Sequence, residues 1–240
     1  MTFRSICIAI YVFFYLIFTT PERIRLKKLE QTEPQKASRI AQEHIQKVFR
    51  HLLKISGVTV EVKGLENIPD EASLFVGNHS SYFDIIVTGV TIPGGVGFIA
   101  KDSLGNIPGL SSWMKLIHCL FLDRKDVRKG LQTILEGAEY LKEGYSMCIY
   151  PEGTRSTNGK LGEFKGGSLK MAQKAKAPIV PVAITGTRDI FENNPGLRVC
   201  PSHVTISFGT PFKISELPAA EKKFAGEYAK KAIEDILTSQ

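Results

Sequence analysis

Cysteine is scarce in this 240-residue chain, and what there is lies scattered. Cys7, Cys119, Cys148 and Cys200 form no Cys-x-x-Cys pair and have no histidine at ligand spacing, which argues against a disulfide framework or a zinc site. Buried free thiols in a reducing compartment are the expectation. His44, His51, His118 and His203 are isolated from one another, so no metal constellation is expected. Internal repeats and low-complexity tracts are absent, which removes solenoid architectures. With hydrophobic residues at 43% and charged residues at 23%, wholesale disorder is excluded as well. Acidic residues are the minority charge, Asp+Glu 24 against Lys+Arg 31, for a net +7. That surplus favours anionic partners, whether nucleic acid, acidic lipid headgroups or phosphorylated substrates. The basic residues cluster beside apolar segments and on no recognisable nucleic-acid module, so nucleic acid is the poorest of the three.

One long apolar run is present. Ile6 to Phe18 reads ICIAIYVFFYLIF, without a charge or a glycine. As a helix from Phe3 to Phe18 it would measure about 24 Å, short of the roughly 30 Å hydrocarbon core of a bilayer. A small-x-small cleavage site does not follow it; TTPERIRLKK does. The reading is a short or tilted span, or a helix dipping into one leaflet. Arg23, Arg25, Lys27 and Lys28 follow the segment and Arg4 alone precedes it, which keeps the downstream side cytoplasmic. In residues 35 to 56, Ile40, Ala41, Ile45, Val48, Phe49, Leu52 and Ile55 recur at helical steps among five basic residues. Beside an apolar partner, this basic amphipathic helix reads as a membrane-interface element. Residues 1–56 are therefore expected to be a two-helix membrane-docking motif, and 57–240 the globular domain.

From Val58 onward short β-branched runs alternate with helical stretches. Strands are predicted at 58–62, 73–77, 97–100, 119–122, 146–150, 178–184 and 203–208, with helices at about 82–92, 110–117, 127–142, 166–176 and 218–238. The fold class is α/β, a mixed and largely parallel sheet flanked by helices. Ligands in such domains bind where strands give way to loops. Polar clusters fall at those places: His79 after the second strand, Lys101 after the third, Asp123-Arg124 after the fourth, Pro151 to Arg155 after the fifth. His79 and Asp84 are five apart, a spacing that separates them by about 140° on one helix. They can meet only if His79 lies in the loop and Asp84 in the helix that follows, with Ser80 or Ser81 as its N-cap.

These blocks resemble those of the glycerolipid acyltransferases, specifically the 1-acylglycerol-3-phosphate (lysophosphatidic acid) acyltransferases. NHSSYFD (78–84) fits the family's Asn-His-(x)4-Asp motif; LFLDR (120–124), YPEGTRS (150–156) and IVPVAI (179–184) resemble its second, third and fourth blocks. FKGG (164–167) sits where a Phe-Lys-x-Gly stretch is expected, and the resemblance spans about residues 58 to 210. His118 departs from the family, whose second block often begins with glycine, and a packing adjustment is expected there. The resemblance implies a glycerol-3-phosphate acyltransferase-like fold and transfer of an acyl chain to the 2-hydroxyl of lysophosphatidic acid. It also implies an acyl-coenzyme A or acyl-acyl carrier protein donor and no cofactor. With the isolated histidines, catalysis without a metal is expected, and the basic residues after the apolar run put it at the cytoplasmic face of the cell membrane.

Acyl transfer from a thioester to a hydroxyl needs a base, and imidazole titrates in the right range. His79 is the candidate base and Asp84 the residue that orients it. Lys101, Arg124 and Arg155 are candidate phosphate ligands, since guanidinium forks and ammonium charges suit that group. Glu152 is expected either to pair with Arg155 or to accept a glycerol hydroxyl. Gly153 would let the main chain approach substrate, and by resemblance the whole block, Thr154 included, contributes to acceptor binding. Val180 to Val182 reads as core strand rather than acyl-chain wall. Two alternatives stay open: a sister acceptor such as glycerol 3-phosphate or another lysophospholipid, and a non-catalytic lipid-binding protein.

Overall fold

The computed structural model describes residues 2–239. The N-terminal part is helical: α1 (Phe3–Phe18), α2 (Thr20–Glu30) and α3 (Pro34–Ser56). Then strands and helices alternate through β1 (Thr59–Lys63), β2 (Leu74–Gly77), α4 (Phe83–Thr91), β3 (Gly97–Lys101), α5 (Leu110–Leu116), β4 (Leu120–Leu122), α6 (Val127–Lys142), β5 (Met147–Ile149), α7 (Lys170–Ala175), β6 (Ile179–Thr185) and β7 (His203–Phe208). The chain closes with α8 (Ala219–Lys222) and α9 (Ala225–Thr238).

Among the described residues seven strands form one sheet, in the order β1-β7-β6-β2-β5-β3-β4. Every pairing is parallel except β6 with β7, so the sheet is mixed and largely parallel, as the sequence predicts. Parallel strands are covered on both faces, and the period-two pattern shows how. In β2, Leu74 and Val76 point into a core shared with α6, α7 and α9, while Phe75 points into one shared with α2 to α5. The chain turns one way from β2 to β3 and the other way from β5 to β6. The crevice beyond the carboxyl ends of β5, β2 and β6 is therefore a topological switch point.

Three expectations change at the N-terminus. The segment expected to carry two helices has three, because α2 lies between those predicted. It begins where Pro21, in its first turn, lacks the N–H that would continue α1, and the two axes diverge by 53°. The apolar stripe of α3 is also not free to meet a bilayer. Ala41, Ile45 and Leu53 of α3, with Leu26 of α2, belong to the same core as Phe75 and Phe83, leaving only the basic face of α3 exposed. Leu26, Ile45, Val48, Leu52 and Leu53 are buried. At roughly 1.5–3 kcal/mol each, their burial is on the order of a domain's whole stability. Residues 34–56 are thus a layer of the globular domain. What remains outward-facing is one side of α1, where Phe3, Ile6, Ile10, Phe13, Phe14, Ile17 and Phe18 are all exposed. No single helix among the described residues is long and apolar enough to cross a membrane; the bent pair α1–α2 meets the length and composition test together.

Smaller differences have local causes. The helix predicted at 166–176 shortens to α7, because Gly167 takes a left-handed φ of 93° in the turn before it. Residues 187–190 form a 3-10 turn inside the 186–202 excursion, whose details the sequence leaves unread. Val180 and Val182 are buried core residues of β6.

Candidate active site

Three adjacent strands deliver the site. β2 ends in Gly77, where a Cβ would come within 3.0 Å of the Tyr150 ring, so only glycine leaves that ring its room. Asn78 then extends the ladder with its side chain. Its amide donates to the carbonyl of Ile184 at 2.9 Å and its carbonyl accepts the N–H of Ile184 at 2.8 Å. With the chain clamped to β6 there, His79 is the first residue free to leave the sheet.

The His79 imidazole meets Asp84 as the spacing requires: Nδ1 lies 2.9 Å from Oδ2. Asp84 sits in the first turn of α4 and is fully buried. Its Oδ2 also accepts the N–H groups of Ser80 at 2.7 Å and Ser81 at 2.8 Å, and its Oδ1 accepts the hydroxyl of Thr187 at 2.6 Å. The backbone N-cap of α4 is Tyr82, but the cap bond comes from Ser81, whose hydroxyl accepts the N–H of Phe83 at 3.0 Å. Tyr150 stacks under the imidazole, with centroids 4.4 Å apart and planes within 17°, and its hydroxyl reaches Thr88. Burial pushes the Tyr150 phenol far above its usual range, so this wall stays neutral. With Nδ1 held by Asp84 and one ring face covered, Nε2 is the nitrogen left for a substrate. The side chain is 15% exposed.

Glu152 neither pairs with Arg155 nor stands open to solvent. Its Oε1 accepts the His79 N–H at 2.7 Å and its Oε2 accepts the Gly162 N–H at 2.8 Å. Burial raises its carboxyl above the ordinary range, and those two amides pull the other way. Glu152 thereby ties the histidine loop to the loop after β5, and the Ser156 N–H repeats the tie by donating to the His79 carbonyl at 2.8 Å. Gly153 is left-handed at φ 69°, and a Cβ there would lie 2.9 Å from the Lys165 side chain. Thr154 is exposed at the loop's tip.

Arg155 pairs instead with Glu192, which lies inside the excursion. Nη1 is 2.9 Å from Oε1, and the guanidinium carbon sits 3.7 Å over the Tyr82 ring. The same Oε1 accepts the Tyr82 N–H at 2.9 Å, while Oε2 is buried with no hydrogen-bond partner among the described residues. Arg188 donates to the carbonyls of Ser156 and Thr157, completing a clamp between residues 187–192 and the 150–157 block. Sequence reasoning missed Thr187, Arg188 and Glu192; the one signal for them is that the excursion follows a predicted strand, as the other polar clusters do.

Arg124 lines a cavity of about 370 Å³ that opens beside Tyr150 and Gly153. Its interior is apolar, with Leu122, Ile134 and Ile149, and Lys165 and Lys170 join Arg124 in its wall. Lys101 is the exposed last residue of β3, whose contribution to the cavity is Ile99 and Ala100. The candidate cations thus divide, Arg124 at the cavity and Arg155 beside Tyr82. No group of three or more His, Cys, Asp or Glu able to hold a metal occurs among the described residues.

Comparison with known proteins gives a consistent picture. A protein-family model described as Acyltransferase matches residues 59–185. A Mycoplasma pneumoniae protein named "Probable 1-acyl-sn-glycerol-3-phosphate acyltransferase" is 38% identical over 160 residues, covering 63% of this chain and 60% of the relative. The 1-acyl-sn-glycerol-3-phosphate acyltransferase of Saccharomyces cerevisiae is 35% identical over 153 residues, 62% of this chain and 50% of its own. The chain thus matches between half and about three fifths of the length of these relatives. The crystal structure of PlsC, the 1-acyl-sn-glycerophosphate acyltransferase of Thermotoga maritima, superposes with a TM-score of 0.79 at 27% identity, covering 97% of this chain and 94% of that one.

Proposed function

The chain belongs to the acyltransferase family, and from that premise we propose that it transfers an acyl chain from a thioester to the 2-hydroxyl of lysophosphatidic acid, yielding phosphatidic acid. The observation that carries this reading is the His79 imidazole 2.9 Å from the fully buried Asp84 carboxylate, with Nε2 left for an alcohol. The names of the similar proteins support the substrate.

In this mechanism His79 Nε2 takes the proton of the acceptor hydroxyl as its oxygen attacks the thioester carbonyl. Asp84 keeps Nδ1 protonated and stabilises the imidazolium that forms. The tetrahedral intermediate then expels the thiolate, which leaves as a thiol with the proton returned from His79. The acceptor hydroxyl is the nucleophile, so no enzyme acyl intermediate is required. Arg155 binds the acceptor phosphate, backed by the Tyr82 ring. The cavity beside Gly153 receives the donor's acyl chain, with Arg124 and Lys165 facing the donor's anionic portion. Lys101 adds positive charge at the approach. Glu152 positions His79 through its main chain, and Gly153 and Thr154 form the loop that passes the acceptor. The donor is an acyl-coenzyme A or an acyl-acyl carrier protein.

The exposed apolar side of α1 supports attachment to one leaflet at the cytoplasmic face, with the basic residues of α2 and α3 against acidic headgroups. The lysolipid then reaches His79 without leaving the bilayer fully, which avoids about 0.8 kcal/mol per methylene exposed to water.

The test is an assay of the purified full chain with lysophosphatidic acid and glycerol 3-phosphate in parallel, each with both thioester donors. Transfer to lysophosphatidic acid alone is the expected result. Preference for glycerol 3-phosphate would move the activity to a sister reaction. Absence of transfer to either acceptor, with lipid bound, would make the protein a non-catalytic binder.

A further inference from the structure

We propose that the apolar groove between α1 and residues 191–199 holds the hydrocarbon chain of the acceptor lipid, so that the two acyl chains of the reaction occupy two separate clefts. This rests on the acceptor being a lysophosphatidic acid.

The groove has a volume of about 290 Å³ and is lined by Ile8, Ala9, Tyr82, Phe191, Leu197 and Val199, with Phe83 and Ser5. It shares no lining residue with the cavity beside Gly153. Its two walls are fastened together by polar groups at the start of α1. The buried Ser5 hydroxyl donates to the Leu197 carbonyl at 2.7 Å and accepts the Val199 N–H at 3.0 Å, and the Thr2 hydroxyl donates to the Val199 carbonyl at 3.2 Å. The groove is therefore a built feature and not a chance gap between a loose helix and a loop.

Leu197 stands at φ 57°, a left-handed conformation disfavoured for a side chain of its size, and is 60% exposed. A large apolar residue is thus held in a strained, solvent-facing position on the groove wall. Strain of this kind points to use by a ligand when other features identify one.

The neighbours of the groove say which ligand. Tyr82 is both a groove wall and the ring under Arg155, and Phe191 adjoins Glu192, the partner of Arg155. An anion at Arg155 and an apolar tail in the groove are the two halves of one amphiphile. On the α1 wall, Ala9 adjoins the exposed Ile6, Ile10 and Phe13, so a chain drawn from a leaflet stays in apolar surroundings. The donor's chain has its own place, the cavity walled in part by Arg124, Lys165 and Lys170.

The experiment compares the full chain with Ala9→Phe, which fills the groove, and with Leu197→Asn, which removes its apolar wall while suiting the left-handed backbone. Acceptor KM is measured for long-chain and short-chain lysophosphatidic acids in detergent micelles, and the donor's chain length is varied separately. The expected result is an approximately tenfold rise in the long-to-short KM ratio, the equivalent of roughly two methylenes no longer buried, with the donor's chain-length preference unchanged. An unchanged ratio in both variants would overturn the groove assignment while leaving the activity intact. A shift in donor chain-length preference instead would give the groove to the donor. If the unaltered chain transfers nothing to lysophosphatidic acid, the functional reading fails and the groove assignment falls with it.

Discussion

Arg155 and Glu192, 37 residues apart, are joined at 2.9 Å, with the guanidinium lying on Tyr82 three residues beyond His79. The candidate phosphate ligand is thus held in orientation, with a carboxylate beside it. Two substitutions separate these effects. Glu192→Gln keeps an acceptor for Arg155 and for the Tyr82 N–H but removes the negative charge, so acceptor KM should fall about threefold. Glu192→Ala loses the orientation as well, and KM should rise about tenfold. Steady-state kinetics with varied acceptor decide it, and kcat should move little in either variant.

Replacing Arg155 itself by Gln should raise acceptor KM by about 10–100-fold, the loss of a charge-assisted contact. Hydrolysis of the thioester by water, which needs no acceptor phosphate, should change much less. Equal losses in the two assays would take Arg155 out of phosphate recognition.

His79→Ala and Asp84→Asn should each lower transfer by about 10³–10⁴-fold, as expected for loss of a base or of the group that orients it. Circular dichroism and thermal melts should show both variants folded. Asp84→Asn should melt lower, because the Ser80 and Ser81 N–H groups, which now share Oδ2, must share the weaker acceptor of a neutral amide.

His118 makes a prediction about stability and pH. Burial lowers its imidazole to about 4, and the ring packs on Tyr145 with centroids 3.8 Å apart. The unfolded chain takes up a proton near pH 6.5 while the folded chain does not. The contribution is therefore complete above about pH 6.5 and is lost as pH falls toward 4, amounting to about 1–2 kcal/mol at pH 5. Urea titrations at pH 7 and pH 5 should show this slope, and His118→Gly should flatten it. That variant also suits the backbone, since His118 stands at φ 59°, where the related motif often has glycine.

Attachment to lipid is tested on the surface of α1. Deleting residues 1–56 would remove Leu26, Ile45 and Leu53 from the core and unfold the domain. Phe14→Ser with Phe18→Ser alters only exposed side chains, which stack on each other. Co-sedimentation with anionic vesicles should drop several-fold for this double variant, while activity in detergent micelles persists. Unchanged sedimentation would assign attachment to another surface.

The sequence alone determined the alternation of strands and helices from β1 to β7 and the meeting of His79 with Asp84. Both are written in short-range patterns: period two in β2, helical periodicity in α6, and a five-residue step that forces His79 into a loop and Asp84 onto α4. The bounds of α6 came out residue for residue, because Asp126 caps it and its apolar positions recur at helical spacing. The same reasoning misjudged α3, since an amphipathic stripe looks alike whether it meets lipid or a sheet. Only the tertiary structure decided which surface covers it. Nor could local pattern show Thr187 bonded to Asp84 across 103 residues, Glu152 holding His79 across 73, or Glu192 holding Arg155. Such contacts arise because β5, β2 and β6 lie side by side, and strand order is set by how whole layers pack, which no window of a few residues contains.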